Sequence, residues 1–138
     1  MNTHVWRYRD NQRNYPGYHL SADADGCVAL LAWLRSPRAR PEFRLQPVTP
    51  EVLSVPNSQA GYVGFTFFKL HVRPDVARGH FQFSEVSDRL SLACSQQQVE
   101  CIIKGVEDIV RDHGDYCIGG EDQHVLWFWW YLRQPAPK

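Results

Sequence analysis

This chain of 138 residues lacks an excess of charge of either sign. Lysine and arginine together number 15, aspartate and glutamate together number 15, and the formal net charge is zero. Proteins that bind nucleic-acid phosphates carry clustered lysine and arginine without compensating acids, and helices that lie on a membrane carry a basic face. The balanced charge therefore predicts that neither nucleic acid nor a membrane is a partner.

Long hydrophobic runs are missing as well. No segment reaches the roughly 18 consecutive apolar residues that a membrane-spanning helix needs. The first residues, MNTHVWRYRDNQRNY, hold no apolar run of the kind that a signal peptide contains. We therefore expect a cytoplasmic protein. The apolar fraction of 43% is nevertheless enough for a folded core, and it excludes a disordered chain.

Motifs for nucleotide binding and catalysis are also missing. The sequence contains neither of the glycine-rich loops that cradle phosphates, G-x-G-x-x-G and G-x-x-x-x-G-K-[ST], and no G-x-S-x-G elbow for a nucleophilic serine. Its four cysteines (Cys27, Cys94, Cys101 and Cys117) form no C-x-x-C pair, and we interpret them as small buried apolar side chains. The sequence thus predicts no cofactor, and it assigns no residue to catalysis or to metal binding.

Two amphipathic helices are the clearest elements of the sequence. The predicted helix over 96–112 follows Ser95, which forms a capping-box pattern with Gln98, and its apolar residues recur with a period of about 3.6 residues. The predicted helix over 24–35 follows Asp23, whose carboxylate can cap the first backbone N–H groups. Both patterns indicate helices that bury one face against a sheet.

The rest of the sequence predicts strands, and together the patterns predict one α+β domain over 1–133 with a disordered tail over 134–138. Its architecture is a two-layer sandwich, in which one mostly antiparallel sheet of about five to seven strands carries both helices on one face. The segment 4–9 is expected at a sheet edge, and Gly119-Gly120 is expected to turn a hairpin. The predicted strands are 4–9, 43–48, 62–73, 80–83, 89–93, 116–118 and 125–132.

A weak internal repeat accompanies these elements. A shift of 72 residues superposes Leu20 on Leu92 and the cap Asp23 on the cap Ser95, and it superposes the two helical stripes. Either a duplicated β-α-β-β unit or the shared period of any two capped helices accounts for the match. The order of elements is similar to that of the effector-binding domains of bacterial transcription regulators, which bind small molecules. This similarity lies in element order alone.

The segment Val125–Leu132 is unusual because it is apolar on both faces. Alternate residues of a strand point to opposite sides, so Leu126 and Phe128 share one face while Trp127 and Trp129 share the other. One face can pack on the helices, and the second must be covered by another layer, a partner subunit or a ligand. The residues expected to bind a ligand or partner are Trp127, Trp129, Tyr131, Tyr62 and Phe68.

These observations favour a non-enzymatic binding or interaction protein. Its aromatic sheet face would take a small apolar molecule or a protein partner, with a homodimer as one form of the latter. One alternative is a small hydrolase-like enzyme, with or without a metal, whose site lies near His113–His124, where Asp115 and Cys117 alternate as zinc ligands could. Another alternative is an immunity-type protein that neutralises a partner.

The one local cluster of basic residues lies after the first predicted helix. It has two interpretations, a contact for an acidic partner or a solvated loop stiffened by proline. Its members are Arg35, Arg38, Arg40 and Arg44.

Overall fold

The structure, a computed structural model, describes residues 2–9, 16–36, 41–49, 61–73, 81–111, 116–119 and 124–129. Nine strands and two helices lie within these ranges, and they confirm the predicted α+β class. The tail over 134–138 falls outside them. In chain order the elements are β1 (Thr3–Tyr8), β2 (Tyr18–Ala22), α1 (Ala24–Arg35), β3 (Glu42–Arg44), β4 (Tyr62–Gly64), β5 (Phe67–Val72), β6 (Gln82–Val86), β7 (Arg89–Cys94), α2 (Gln96–Val110), β8 (Tyr116–Gly119) and β9 (Val125–Phe128).

The strands divide between two mixed sheets. One sheet has five strands in the order β4-β1-β2-β9-β8, and the other has four in the order β3-β5-β7-β6. Neighbouring strands run antiparallel except in the pairs β2–β9 and β5–β7, so the pairing is mostly antiparallel, as the sequence predicts. Both helices pack on the five-stranded sheet, α1 against β1 and β2 and α2 against β8 and β9, and they contact each other.

The prediction of one long strand over 62–73 is wrong, because the chain crosses between the sheets within this segment. β4 belongs to the five-stranded sheet and β5 to the four-stranded sheet. Between them, the Phe65 N–H donates to Val5 O at 3.1 Å, and the Thr66 N–H donates to Asp88 O at 2.8 Å. The two residues are therefore bonded to different sheets, which is why the strands form two sheets instead of the single one expected.

The segment after β3 is a bridge rather than a strand. Of the predicted strand 43–48, only the first two residues belong to β3. The Leu45 N–H then donates to Thr66 O at 2.7 Å, and the Gln46 N–H donates to Thr3 O at 2.9 Å. Single hydrogen bonds of this kind tie the segment to both sheets without extending either one.

The position of β1 also corrects the prediction. The segment 4–9 was expected at an edge, but β1 lies inside the five-stranded sheet between β4 and β2. Its two faces are both buried, with Val5 in the main core and Trp6 on the opposite side. A strand with two buried faces gains most from an interior place, where both of its edges are also paired.

The predicted C-terminal hairpin is confirmed. β8 and β9 pair antiparallel, and Gly119 has a φ of 122°, a conformation that favours glycine. β9 ends at Phe128, earlier than the apolar pattern suggests, although the Trp129 N–H still donates to Leu20 O at 3.0 Å. Residues 130–132 lie outside the described part of the chain.

Both helix starts form as the sequence predicts. The Asp23 carboxylate accepts the Gly26 N–H at 2.7 Å and so caps α1. At α2 the Gln98 N–H donates to Ser95 Oγ at 3.2 Å, and the Ser95 N–H donates to Gln98 Oε1 at 2.9 Å. This reciprocal pair satisfies two N–H groups that a helix terminus otherwise leaves without partners.

The internal repeat is present in the strand registers as well as in the helices. Tyr18 of β2 pairs with Leu126 of β9, and Leu90 of β7, which follows Tyr18 by 72 residues, pairs with Phe68 of β5 in the same parallel sense. β1 on β2 matches β6 on β7, and β8 on β9 matches β3 on β5. Helical period alone cannot produce matching registers, so the two units are structurally equivalent, and each sheet combines strands of both.

A partly exposed hydrogen-bonded ion pair joins the two sheets. Arg7 Nε of β1 lies 2.7 Å from Glu85 Oε2 of β6, and the Tyr18 hydroxyl donates to the same oxygen at 2.7 Å. Burial raises the pKa of Tyr18 well above its ordinary value, and the bond to Glu85 raises it further. The phenol therefore stays protonated and keeps donating across the junction.

Both sheets and both helices contribute to one main core. Within it, α2 approaches β9 so closely that a Cβ built on Gly105 would lie 2.3 Å from Cζ of Phe128. The Phe128 side chain is completely buried, so it has little room to move away. Packing therefore requires glycine at position 105.

We expect Gly105→Ala to destabilise the fold by about 1–3 kcal/mol, because the added methyl group overpacks the core against Phe128. In an unhindered helix the same change would stabilise by roughly 1 kcal/mol, so the sign of the change is diagnostic. Urea unfolding followed by circular dichroism measures the free energy of unfolding.

Gln97→Ala, at an exposed position of α2, is the control and should change stability by less than about 0.5 kcal/mol. Adding Phe128→Leu to Gly105→Ala should cost less than the sum of the two single changes. A Gly105→Ala protein that is as stable as wild type would contradict the close approach.

Candidate functional site

The five-stranded sheet has a second buried face, on the side away from the main core. Side chains that alternate with those of the main core lie on it, and we call this face the outer face. Trp6 and His19 are 0% exposed there, and Trp129 is 4% exposed. We define the outer aromatic cluster as Trp6, Tyr8, His19, Trp127 and Trp129.

A row of three rings crosses the centre of this face. The strand registers place Trp6, His19 and Trp127 side by side on β1, β2 and β9. The imidazole of His19 stacks between its neighbours, with its centroid 5.6 Å from that of Trp6 and 6.0 Å from that of Trp127. Trp129 stacks on Trp127 with a centroid distance of 5.3 Å. The rings therefore form a rigid surface of parallel faces.

Hydrogen bonds fix the polar atoms of these rings. Trp129 Nε1–H donates to Nδ1 of His19 at 2.9 Å, so Nδ1 carries a lone pair and the imidazole is neutral with its proton on Nε2. Trp127 Nε1–H donates to Pro16 O at 2.9 Å. These bonds orient both indoles and supply the partners that buried N–H groups require.

The equivalent face of the four-stranded sheet has a different character. Its registers place Ser84, Ser91 and Lys69 where the five-stranded sheet has the row of Trp6, His19 and Trp127. None of these three side chains is buried. The strand registers that the two units share are therefore compatible with a polar, partly exposed outer face. They do not require the aromatic face that the five-stranded sheet has.

The structure brings together three of the five residues expected to bind. Trp129, Trp127 and Tyr62 meet in one cluster on the outer face. Phe68 lies instead in the main core, with its ring centroid 5.7 Å from that of Trp33, because the crossing after β4 carries it into the other sheet. Tyr131 lies outside the described residues.

Sequence reasoning missed the other members of the cluster. Trp6 and Tyr8 alternate along β1, and this W-x-Y pattern was a usable signal for an aromatic face. His19 gave no such signal, because its place beside Trp127 depends on a parallel pairing between strands far apart in sequence.

The chain itself shelters the centre of the outer face. Trp6, His19 and Trp129 are buried within a single copy of the protein. Among the described aromatic residues of this face, Trp127 and Tyr62 lie at the rim, where they are half-buried and stay partly accessible. Any ligand or partner of this face must therefore meet it at the rim.

A cavity of about 320 Å³ opens at this rim. Tyr62 and Val48 line it and also pack against the outer aromatic cluster. The Tyr62 hydroxyl donates to Val48 O at 3.2 Å, which ties one wall to the other. The bridge after β3 supplies one wall and β4 with the crossing supplies the other: Arg44, Leu45, Pro47 and Val48 face Tyr62, Gly64, Phe65 and Thr66.

The lack of a side chain at Gly64 lets the two walls approach each other without a clash. A Cβ built on it would lie 3.1 Å from Cγ2 of Val48, which is tighter than an ordinary contact. The space beside this glycine is thus occupied by an aliphatic side chain of the opposite wall.

The alternative enzyme site near His113–His124 is only partly described. His113 and Asp115 lie outside the described residues. The Nδ1 atom of His124 accepts the Phe83 N–H at 3.2 Å, and the two rings stack with centroids 6.5 Å apart. Across the described ranges, no three His, Cys, Asp or Glu side chains come together as metal ligands.

The cysteines only partly follow the prediction. Cys27 and Cys94 are buried as expected, and burial raises the pKa of Cys27 to about 11 and that of Cys94 to about 12. Cys101 and Cys117 are exposed, so their interpretation as core residues is wrong. Cys101 lies on the solvent side of α2.

The fold and the site define an α+β domain with a closed aromatic outer face and a cavity at its rim. Comparison of the chain with protein-family models, with curated proteins and with solved structures found no match. Over the described ranges, neither helix has the length and apolar character that crossing a membrane requires.

Protonation of His4 should weaken the fold. His4 lies on the outer face, is 4% exposed and places Nδ1 3.2 Å from Gln46 O. Burial lowers its pKa below the ordinary value of 6.5. Below that pH the unfolded chain binds a proton that the folded chain does not, so stability is full above pH 6.5 and falls as the pH is lowered.

Urea unfolding at about pH 7.5 and about pH 5.5 measures this loss. His4→Gln should lose less stability between the two values than wild type, because it removes one titrating group. His71→Gln, at an exposed position, should keep the wild-type dependence. If His4→Gln and wild type lost the same amount, the proposed role of His4 would be wrong.

Proposed function

We propose that this protein is a non-enzymatic binding protein that holds a small, largely apolar molecule in the cavity at the rim of the outer face. One observation carries the proposal. The two sheets have equivalent strand registers, yet of their described outer faces only that of the five-stranded sheet is aromatic. The cavity lies beside that face. Two lining residues, Tyr62 and Val48, pack against the outer aromatic cluster and so connect the cavity to that face.

The size and walls of the cavity support a small ligand. Pockets for small molecules commonly measure about 300–1,000 Å³ and combine apolar walls with a few polar groups. Here Pro47, Val48 and Phe65 are apolar, while Tyr62 and Thr66 add hydroxyl groups. The bond from Leu45 N–H to Thr66 O at 2.7 Å holds the walls in place. A preformed site of this kind loses little entropy when a ligand binds.

A small molecule fits the site better than a protein partner or a second copy. A stable protein interface buries on the order of 800 Å² per partner around an apolar centre. The aromatic centre of the outer face is already buried within one chain, and only rings at the rim, Trp127 and Tyr62, remain partly open.

Binding of 2-naphthol, a flat and uncharged probe, tests the proposal. We expect the probe to shift the amide resonances of Val48, Tyr62 and Thr66, which line the cavity, in heteronuclear NMR spectra. Tyr62→Leu should weaken binding about 2- to 10-fold, because it removes an aromatic contact. Lys69→Ala, which changes the position equivalent to Trp127 in the other sheet, should leave the affinity unchanged.

Two results would contradict the proposal. One is the absence of shifts at these residues at millimolar probe concentration. The other is light scattering that shows a dimer, together with protection of Trp127 and Tyr62 by the second copy. In that case the rim would be a subunit interface.

A further inference from the structure

We infer that the molecule bound in this cavity is a compact apolar carboxylate whose carboxylate group pairs with Arg44. The inference rests on the proposed function, and it adds the charge and the anchoring residue of the ligand. It also gives a role to one member of the basic cluster that the sequence contains after the first helix.

Arg44 is the only charged residue among the described residues that line the cavity. Its side chain is exposed at the end of β3, and within the described ranges it has neither a hydrogen bond nor an ion pair. An arginine at the mouth of a cavity with both apolar and polar walls offers a planar pair of N–H groups that match the two oxygens of a carboxylate.

Two acidic residues of the four-stranded sheet are already engaged. Glu42, on the same strand as Arg44, pairs with Arg89 and also lies 3.9 Å from Nζ of Lys69. Glu85 is held by Arg7 and Tyr18 at the junction of the sheets. Within β3, β5 and β7 the cations Arg44, Lys69 and Arg89 outnumber the one carboxylate, Glu42. Exposed Asp88, whose backbone oxygen accepts the Thr66 N–H, offsets one more of them, and the remaining positive charge attracts an anion.

The lining also indicates which anion fits. A dianionic phosphate is usually held by several cations or by a helix N-terminus. The described lining supplies one guanidinium and the hydroxyl groups of Thr66 and Tyr62, of which the second already donates to Val48 O. A singly charged carboxylate needs no more than these. The remaining walls, with Pro47, Val48 and Phe65, suit a flat hydrocarbon body.

Three probes with the same ring system test the inference: 2-naphthoate, the uncharged 2-naphthamide and 2-naphthyl phosphate. Wild-type protein should bind 2-naphthoate about tenfold more tightly than 2-naphthamide, an advantage typical of a charge-assisted hydrogen bond. Arg44→Gln should bring the two affinities to within about twofold of each other while binding 2-naphthamide as wild type does. Arg73→Gln, at an exposed arginine outside the cavity, should keep the tenfold preference.

The ionic-strength dependence gives a second readout. The preference for 2-naphthoate should shrink between low salt and about 0.5 M salt, because an exposed guanidinium is screened. Thermal melts of each variant confirm that it is folded, which Arg44→Gln should be because Arg44 is exposed on an edge strand.

The possible failures are distinguishable. Equal affinities of wild type for 2-naphthoate and 2-naphthamide would overturn the carboxylate inference and leave the binding function intact. Tighter binding of 2-naphthyl phosphate than of 2-naphthoate would assign the site to phosphate. Absence of binding by all three probes would overturn both the inference and the proposed function.

Discussion

A strand that is apolar on both faces must be kept from water on both sides, and the rest of this structure follows from how β9 meets that requirement. On its inner side Leu126 and Phe128 are fully buried, and α2 comes close enough for the Phe128 ring to fill the space where Gly105 lacks a side chain. On its outer side Trp127 and Trp129 stack against His19, which the parallel pairing of β2 with β9 places beside them. Burial of the inner face therefore depends on a small residue of the helix, and burial of the outer face depends on a flat ring of the adjacent strand.

Comparison of the two equivalent units separates the features that both share from those that only one has. Leu20 and Leu92 are both 0% exposed, and the helices that follow them begin at a side-chain cap in each unit. Burial of the inner face is thus common to both units. The outer faces differ, with rings on one sheet and serine and lysine on the other. Since both arrangements satisfy the same registers, the registers alone do not require an aromatic outer face.

The sequence predicted those parts of the fold whose signals are local. Helix starts were predictable because Asp23 and Ser95 act on N–H groups within three residues of themselves. The crossing after β4 was not predictable, because Phe65 and Thr66 read as continuing strand and reveal the break only through bonds to distant segments. That break moved Phe68 away from the expected site. The row of Trp6, His19 and Trp127 was equally hidden, since pairing across the sheet, and not the pattern within a strand, brings these residues together.

The crossing between β4 and β5, which the sequence did not predict, also creates the cavity. A chain that leaves one sheet and enters another cannot keep both edges paired at the point of passage, and here the edge strands β4 and β3 face each other across the gap. Single hydrogen bonds from Leu45 and Tyr62 hold the gap open at a fixed width. The space of about 320 Å³ left there lies beside Tyr62 and Val48 and has the exposed Arg44 at its edge, so the crossing supplies the geometry on which the proposed binding function depends.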